Sequence, residues 1–301
     1  MIGVTLGDPG GIGIEVVLKT ISFLDIRIIL FGNKNALNYY CRTLNLTLPK
    51  RIEIVDIEGE FFVGNLCKEN GDIAYRSIMG AIKACKEGVC DALVTAPISK
   101  KALSLAGYDY PGHTELLAEE CSIEKYAMMM VGTEMKVIFI TTHIPIKNVS
   151  SSLSKELIIE KVELAKLSLE HYWKISNPSF GVLALNPHRG DSGLFGTEEK
   201  EIIEPAIEQL KSRGYVVEGP FSPDTYWIMQ KKDCTVALYH DQGMIPFKMK
   251  NMGSGVNVTL GLPFPRTSPD HGTAFDIAGK GLASYGSMMK AIEMANYMSR
   301  V

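Results

Sequence analysis

Residues 2–21 read IGVTLGDPGGIGIEVVLKTI. A short apolar run, 2–6, enters a glycine-rich turn, 7–13, and a helical pattern follows. Strand, tight turn and helix in that order open an α/β unit. The alternation recurs along the chain. Further strand candidates are 27–31 (RIILF), 91–95 (DALVT), 136–141 (KVIFIT), 180–185 (FGVLAL), 235–239 (TVALY) and 256–260 (VNVTL). Between them, 71–88 places Ala74, Ile78, Ala81, Ile82 and Cys85 at steps of three and four, and 154–174 does the same with Ile158, Val162, Ala165, Leu169 and Tyr172. Such spacing marks one buried helix face. The pattern predicts an α/β fold, built as an α/β/α sandwich on a largely parallel sheet.

The chain has 301 residues, enough for about two domains at roughly 150 residues each. Apolar residues make up 46%, charged residues 22%, with 28 Gly and 14 Pro, which excludes a disordered, collagen-like or coiled-coil protein. A net charge of −3 gives no global support for binding nucleic acid, although a local basic pocket is compatible with it. The six cysteines form no CxxC pair, so they read as reduced, buried thiols. The N-terminus lacks a basic n-region, and Asp8, Glu15 and Lys19 interrupt its apolar run, unlike a signal peptide. No window approaches 18 uninterrupted apolar residues. A cytoplasmic protein with no membrane segment is expected.

The loops carry the chemistry. Apolar strands run into GDPGGIG (7–13), APISK (96–100), THIPI (142–146), NPHRGDSG (186–193) and HDQG (240–243). In open α/β sheets, ligands bind beyond the carboxyl ends of the strands, where parallel strands would place all five. GDPGGIG has the context of a phosphate-binding loop but misses the dinucleotide fingerprint at Val16, so a tight turn that needs glycine is the competing reading. His143, His188 and His240 each lie one to three residues past a candidate strand. Converging, three imidazoles would supply the ligand count of a catalytic metal, with Asp241 orienting or holding one of them. His113 opens PGHTELLAEE at a helix N-terminus with Thr114, which suits an anion or a simple cap. Lys100, Lys248, Asn257 and Arg266 lie in or beside the loops as donors for a phosphate or carboxylate. SPDHGTAFDIAGKG (268–281) sets His271, Gly272 and Asp276 among small residues, fit for close approach of a ligand to the backbone. His171 lies in a helical stretch and reads as structural.

GDPGGIGIE, ALVTAPISK, GHTELLAE, TTHIPI, ALNPHRGDSGLFGTEE, YHDQGMIPFK and GVNVTLGLPFPRTSPDHGTAFDIAG, in this order and spacing, resemble the 4-hydroxythreonine-4-phosphate dehydrogenase family of vitamin B6 biosynthesis. DHGTAFDIAGKG also resembles the cofactor loop of isocitrate and isopropylmalate dehydrogenases. The resemblance implies two α/β/α subdomains of that dehydrogenase type. We place the first, the cofactor side, at 1–110 plus 262–301, and the second, the metal, substrate and dimer side, at 111–261. It implies NAD- or NADP-dependent oxidation of 4-phosphohydroxy-L-threonine, a small phosphorylated amino-acid substrate. The product, 2-amino-3-oxo-4-phosphooxybutanoate, would lose CO2 to give 3-amino-2-oxopropyl phosphate. His143, His188 and His240 match the family's ligands for one divalent ion (Zn, Mg, Co or Mn), and imidazole donors lean toward Zn or Co. His113, Thr114, Lys248, Asn257 and Arg266 match its substrate-binding positions. His271, Gly272 and Asp276 are candidates for the cofactor, and Asp241 and Lys100 for the proton acceptor. The resemblance further implies a homodimer with a shared active site. Leu6, Gly10, Ile14 and Ala96 depart from residues common in the family. A related phosphorylated four-carbon acid, 4-phospho-D-threonate or 4-phospho-D-erythronate, is the alternative substrate.

Overall fold

The computed structural model of the chain describes residues 1–229 and 231–301. Its strands are β1 (Ile2–Thr5), β2 (Ile28–Gly32), β3 (Glu53–Asp56), β4 (Ala92–Thr95), β5 (Ala127–Val131), β6 (Lys136–Phe139), β7 (Ser179–Leu183), β8 (Val216–Phe221), β9 (Cys234–Ala237), β10 (Val256–Leu260) and β11 (Arg266–Pro269). The helices are α1 (Gly13–Ile21), α2 (Lys34–Thr43), α3 (Lys68–Lys86), α4 (Lys100–Leu105), α5 (His113–Glu120) and α6 (Val149–Ser152). They continue with α7 (Lys155–Trp173), α8 (Glu204–Ser212), α9 (Pro223–Met229), α10 (His240–Asn251) and α11 (Gly286–Met298). No helix of the described residues is long and apolar enough to cross a membrane, and all six cysteines are free thiols.

Two compact units form, Met1–Glu124 with Gly253–Val301, and Lys125–Met252. In the first, the strand order is β3-β2-β1-β4-β11-β10. β1 pairs in parallel with β2 and β4, β4 in parallel with β11, and β10 runs antiparallel to β11. Every residue of β1, β2 and β4 is buried, as near-continuous apolar runs in a parallel sheet require. Helix α1 is buried along almost its whole length, and α3 turns Ile73, Ala74, Ile78, Ala81, Ile82 and Cys85 inward, the face its spacing predicts. In the second unit the order is β5-β6-β9-β7-β8, parallel except for β5. Helix α7 starts where the Ser154 hydroxyl accepts the Leu157 N–H at 3.1 Å, and stops where Lys174 turns left-handed at φ 56°.

All seven strand candidates are strands, and the sheets are largely parallel. The unit boundaries fall at 124/125 and 252/253, where the sequence reading placed them at 110/111 and 261/262. The difference has a physical cause at each end. Leu116 and Leu117 of α5 pack into the core formed by Ile78, Ile82 and Leu93, which keeps α5 with the first unit. β10 belongs there through its ladder with β11.

Candidate active site

The parallel strands of each unit put the motif loops at their carboxyl edge. In the second unit, β6 leads to His143, β7 to His188 and β9 to His240. Thr141 anchors the first of these exits, with its N–H and hydroxyl both donating to the Leu238 carbonyl at 3.1 and 2.7 Å. Buried Gln242 ties the other two, accepting the Leu238 N–H at 2.7 Å and donating to the Ala184 carbonyl at 2.7 Å. The sequence reading passed over Gln242, because a glutamine beside His and Asp carries no chemical signature of its own.

His143 and His240 come together, with ring centroids 5.8 Å apart. They face a cavity of about 500 Å³ whose wall also contains Asp241, Ile144, Ile146 and Val149. His240 Nδ1 donates to Asp241 Oδ1 at 2.7 Å, which leaves Nε2 with its lone pair. An ion about 2.1 Å from each of two imidazole nitrogens at a tetrahedral angle sets their ring centroids roughly 5–6 Å apart, so this pair fits a divalent ion. His188 is not brought to them. Among the described residues no three His, Cys, Asp or Glu side chains are grouped closely enough to hold a metal. His188 sits instead on an exposed turn in which His188, Arg189, Gly190, Asp191 and Ser192 have φ of 52°, 59°, 78°, 42° and 59°. Four non-glycine residues held left-handed within five positions are strained, a condition found mostly at functional sites. Lys248 lies half-buried on α10, eight positions and about 12 Å of helix beyond His240.

The first unit carries the other candidates. Arg266 on β11 is 1% exposed. Its guanidinium donates to the Thr259 hydroxyl at 2.9 Å and the Thr95 hydroxyl at 2.5 Å, while Nε has no hydrogen-bond partner. Burial pushes Arg266 down to about 9, and the carboxylate of Glu115 acts against that shift. His113 is the first residue of α5 and Thr114 the second, as the motif suggested. Burial, with Arg266 and Lys100 nearby, holds His113 well below the ordinary histidine range, so its imidazole is neutral. His113 Nε2, Glu115 Oε2 and Asn257 Oδ1 are buried and unpartnered like Arg266 Nε. Native proteins rarely leave such atoms unsatisfied without a ligand or water for them. Lys100 is exposed at the start of α4.

GDPGGIG is sewn to the 268–283 segment. Ile12 N–H donates to Thr273 O at 2.8 Å, Glu15 accepts the Ala283 N–H at 2.9 Å, and Lys19 donates to the carbonyls of Gly281 and Ala283 at 2.8 and 2.9 Å. His271 Nδ1 meets the Gly272 carbonyl at 3.2 Å, and its Nε2 is buried without a partner. Gly272 and Asp276 are exposed. Asp8 is fully buried, with Oδ1 accepting the Gly10 N–H at 2.8 Å and Oδ2 unpartnered.

The chain is similar to several known proteins. Residues 15–295 match the family described as pyridoxal phosphate biosynthetic protein PdxA. A 4-hydroxythreonine-4-phosphate dehydrogenase of Sulfurihydrogenibium sp. is 40% identical, with 100% of this chain and 98% of the relative covered. A protein of Oceanobacillus iheyensis, provisionally named D-threonate 4-phosphate dehydrogenase, is 37% identical over 98% of this chain and 96% of its own. The crystal structure of 4-hydroxythreonine-4-phosphate dehydrogenase from Klebsiella pneumoniae superposes with a TM-score of 0.87 at 36% identity, covering 99% of both chains. A β-decarboxylating dehydrogenase from Thermococcus kodakarensis shares the fold, with a TM-score of 0.55 at 16% identity over 99% of this chain and 83% of its own.

Proposed function

The chain belongs to the family described as pyridoxal phosphate biosynthetic protein PdxA, and from that premise we propose that it is a 4-hydroxythreonine-4-phosphate dehydrogenase. It oxidises the C3 hydroxyl of 4-phosphohydroxy-L-threonine with NAD or NADP as hydride acceptor. The 3-oxo product loses carbon dioxide to give 3-amino-2-oxopropyl phosphate. The observation that carries this reading is the set of buried, unpartnered polar atoms on His113, Asn257 and Arg266. Three of the five positions matched to the family's substrate site thus lack a partner for a buried polar atom. An anionic substrate supplies the acceptors that Arg266 Nε and a neutral His113 lack.

Each part of the chain has a distinct task. His113, Thr114, Lys248, Asn257 and Arg266 are assigned to the phosphate and carboxylate of the substrate, which converts binding into orientation. The fixed fork of Arg266 is preorganised by Thr95 and Thr259 before substrate arrives. His143 and His240 hold a divalent ion, with His188 as third ligand brought in when the homodimer assembles. When bound, that ion supplies a Lewis acid that makes the substrate hydroxyl more acidic. Asp241 fixes the His240 tautomer, and Asp241 and Lys100 are the two candidates for the proton acceptor. His271, Gly272 and Asp276 are assigned to the nicotinamide cofactor. The homodimer is supported by the large apolar side chains the second unit leaves exposed, among them Ile146, Leu194, Ile245, Met249 and Met252.

Purified protein supplied with NAD, a divalent ion and 4-phosphohydroxy-L-threonine should produce NADH and carbon dioxide, and a chelator should stop both. Release of inorganic phosphate without NADH would refute the dehydrogenase reading in favour of a hydrolase. The Oceanobacillus relative favours a second reading, in which 4-phospho-D-threonate is the substrate. A higher kcat/KM on that acid than on the amino acid would establish it.

A further inference from the structure

The strained turn that carries His188 is held from outside the proposed ligand set. Glu199 is 3% exposed, and among the described residues it is the one buried carboxylate of the second unit. Its Oε1 accepts the N–H groups of Leu185 and Asn186 at 2.8 and 2.7 Å, and its Oε2 accepts from Asn186 Nδ2 at 2.9 Å. Asn186 Nδ2 also donates to Glu198 Oε2 at 2.7 Å. Glu198 Oε1 in turn accepts the Ser150 hydroxyl at 2.6 Å. These donors hold the Glu198 carboxyl below its usual range. Ser150 belongs to α6, on the segment that continues from His143.

A continuous polar chain therefore runs from Ser150 on α6, through Glu198, Asn186 and Glu199, to the root of the His188 turn. Every link ends on a carboxylate oxygen, and hydrogen bonds to carboxylates are among the strong ones. Glu198 and Glu199 place two carboxylates on one amide nitrogen, an arrangement that repels itself unless the shared donor is worth keeping. A π-turn begins at Glu199, and turns of this kind concentrate at functional sites.

We propose that Ser150, Asn186, Glu198 and Glu199 are positioning residues that brace the root of the His188 turn against α6, so that each chain presents His188 in one fixed conformation to the assembled site, and thereby set the affinity for a divalent ion. The inference rests on the reading of His188 as a metal ligand. None of the four touches the ion or the substrate. They act through the backbone that presents its imidazole, as outer-shell partners of metal ligands do.

The test uses the whole protein, stripped of metal, with cobalt(II) as the probe. Affinity is read by competition against a chromophoric chelator, and ligand geometry by the visible absorption of bound cobalt(II). Ser150→Ala should weaken binding about 3- to 10-fold and Glu198→Gln about 10-fold or more. Because the links act in series, the double variant should bind no more weakly than Glu198→Gln alone. Ser150→Thr keeps the hydroxyl and should bind as the parent does. Amides of residues 188–193 should exchange with deuterium faster in Ser150→Ala, while global melting stays unchanged because Ser150 is exposed. His188→Ala is a separate arm. If it weakens binding while Ser150→Ala and Glu198→Gln do not, the brace is refuted and the metal reading stands. If His188→Ala binds cobalt(II) as the parent does, the metal reading fails and the brace falls with it.

Discussion

His240 Nδ1 donates to Asp241 Oδ1 at 2.7 Å, so the ring nitrogen facing away from Asp241 is the one with a free lone pair. This bond decides how His240 works beside His143. A carboxylate on one imidazole nitrogen raises the basicity of the other and fixes the ring. Asp241→Asn keeps the shape but removes the charge. It should weaken divalent-ion binding by roughly 10- to 100-fold, read by titration of the metal-free protein. If Asp241 acts only on the ligand, activity should return toward the parent value at saturating metal. If it is also the proton acceptor, kcat stays low however much metal is added.

Arg266 makes a different kind of prediction, because its two threonine partners consume the fork's two ends and leave Nε for a ligand. Arg266→Lys preserves charge but not the planar fork, so it cannot hold Thr95, Thr259 and substrate together. KM for the phosphorylated substrate should rise at least about tenfold, as expected for losing a hydrogen bond to a charged group. Arg266→Met leaves two buried hydroxyls unpaired as well. It should lower both kcat/KM, by about 100-fold, and the melting temperature. Steady-state kinetics beside thermal unfolding separates the two effects.

Asp8 predicts a pH dependence of stability. Burial raises it from the ordinary 3.8 to about 6, against the pull of the Gly10 N–H. Between those values the unfolded chain has released its proton while the folded chain keeps it. Folding stability therefore falls as pH rises from about 4 to 6, and the full loss is present above the folded value. Asp8→Asn retains an acceptor for the Gly10 N–H and never ionises. Its unfolding free energy should lose this dependence and exceed that of the parent by about 1–3 kcal/mol at pH 7.5, the magnitude of roughly two pKa units in a fully buried group. Urea unfolding at pH 4.5 and 7.5 measures both.

Much of the fold was legible because buried parallel strands are written as unbroken apolar runs, and all seven such runs are strands. The four strands that escaped notice lack that signature. β3 (EIVD) is exposed or half-buried throughout. β8 (VVEGPF) and β11 (RTSP) contain proline and charge. β5 (AMMMV) is buried, but methionine is a weak strand former next to Val or Ile. The histidines were found because each follows a strand, and a strand's carboxyl end has a known position. What holds them was not legible. Gln242, Asn186, Glu198 and Glu199 act through backbone groups and through each other, across contacts that a linear sequence does not order. The convergence of His188 was likewise an inference from placement. The left-handed turn that carries it follows Leu185 and Asn186, whose N–H groups donate to Glu199 further along the chain.

Gly7 settles what the glycine-rich turn is for. Its φ is +71°, and a β-carbon there would sit 2.3 Å from the Pro97 carbonyl oxygen. A β-carbon on Gly11 would sit 2.7 Å from the Thr273 carbonyl oxygen. The glycines are thus required by the close approach of 96–97 and 273 to this loop, whatever the cofactor does. Gly7→Ala combines a disfavoured backbone conformation with a clash against a backbone that cannot swing aside. It should destabilise the protein by about 2–4 kcal/mol, in the range of overpacking plus strain. Because Asp8 N–H donates to that same Pro97 carbonyl at 3.0 Å, displacing it should also disturb the Asp8 loop. Because Ile12 N–H of this loop donates to the Thr273 carbonyl, beside the residues assigned to the cofactor, the variant should raise KM for NAD more than KM for the phosphorylated substrate. Denaturant unfolding and kinetics with each substrate varied in turn check both parts. A Gly7→Ala protein of parental stability would mean that 96–97 can move away from the loop at little cost.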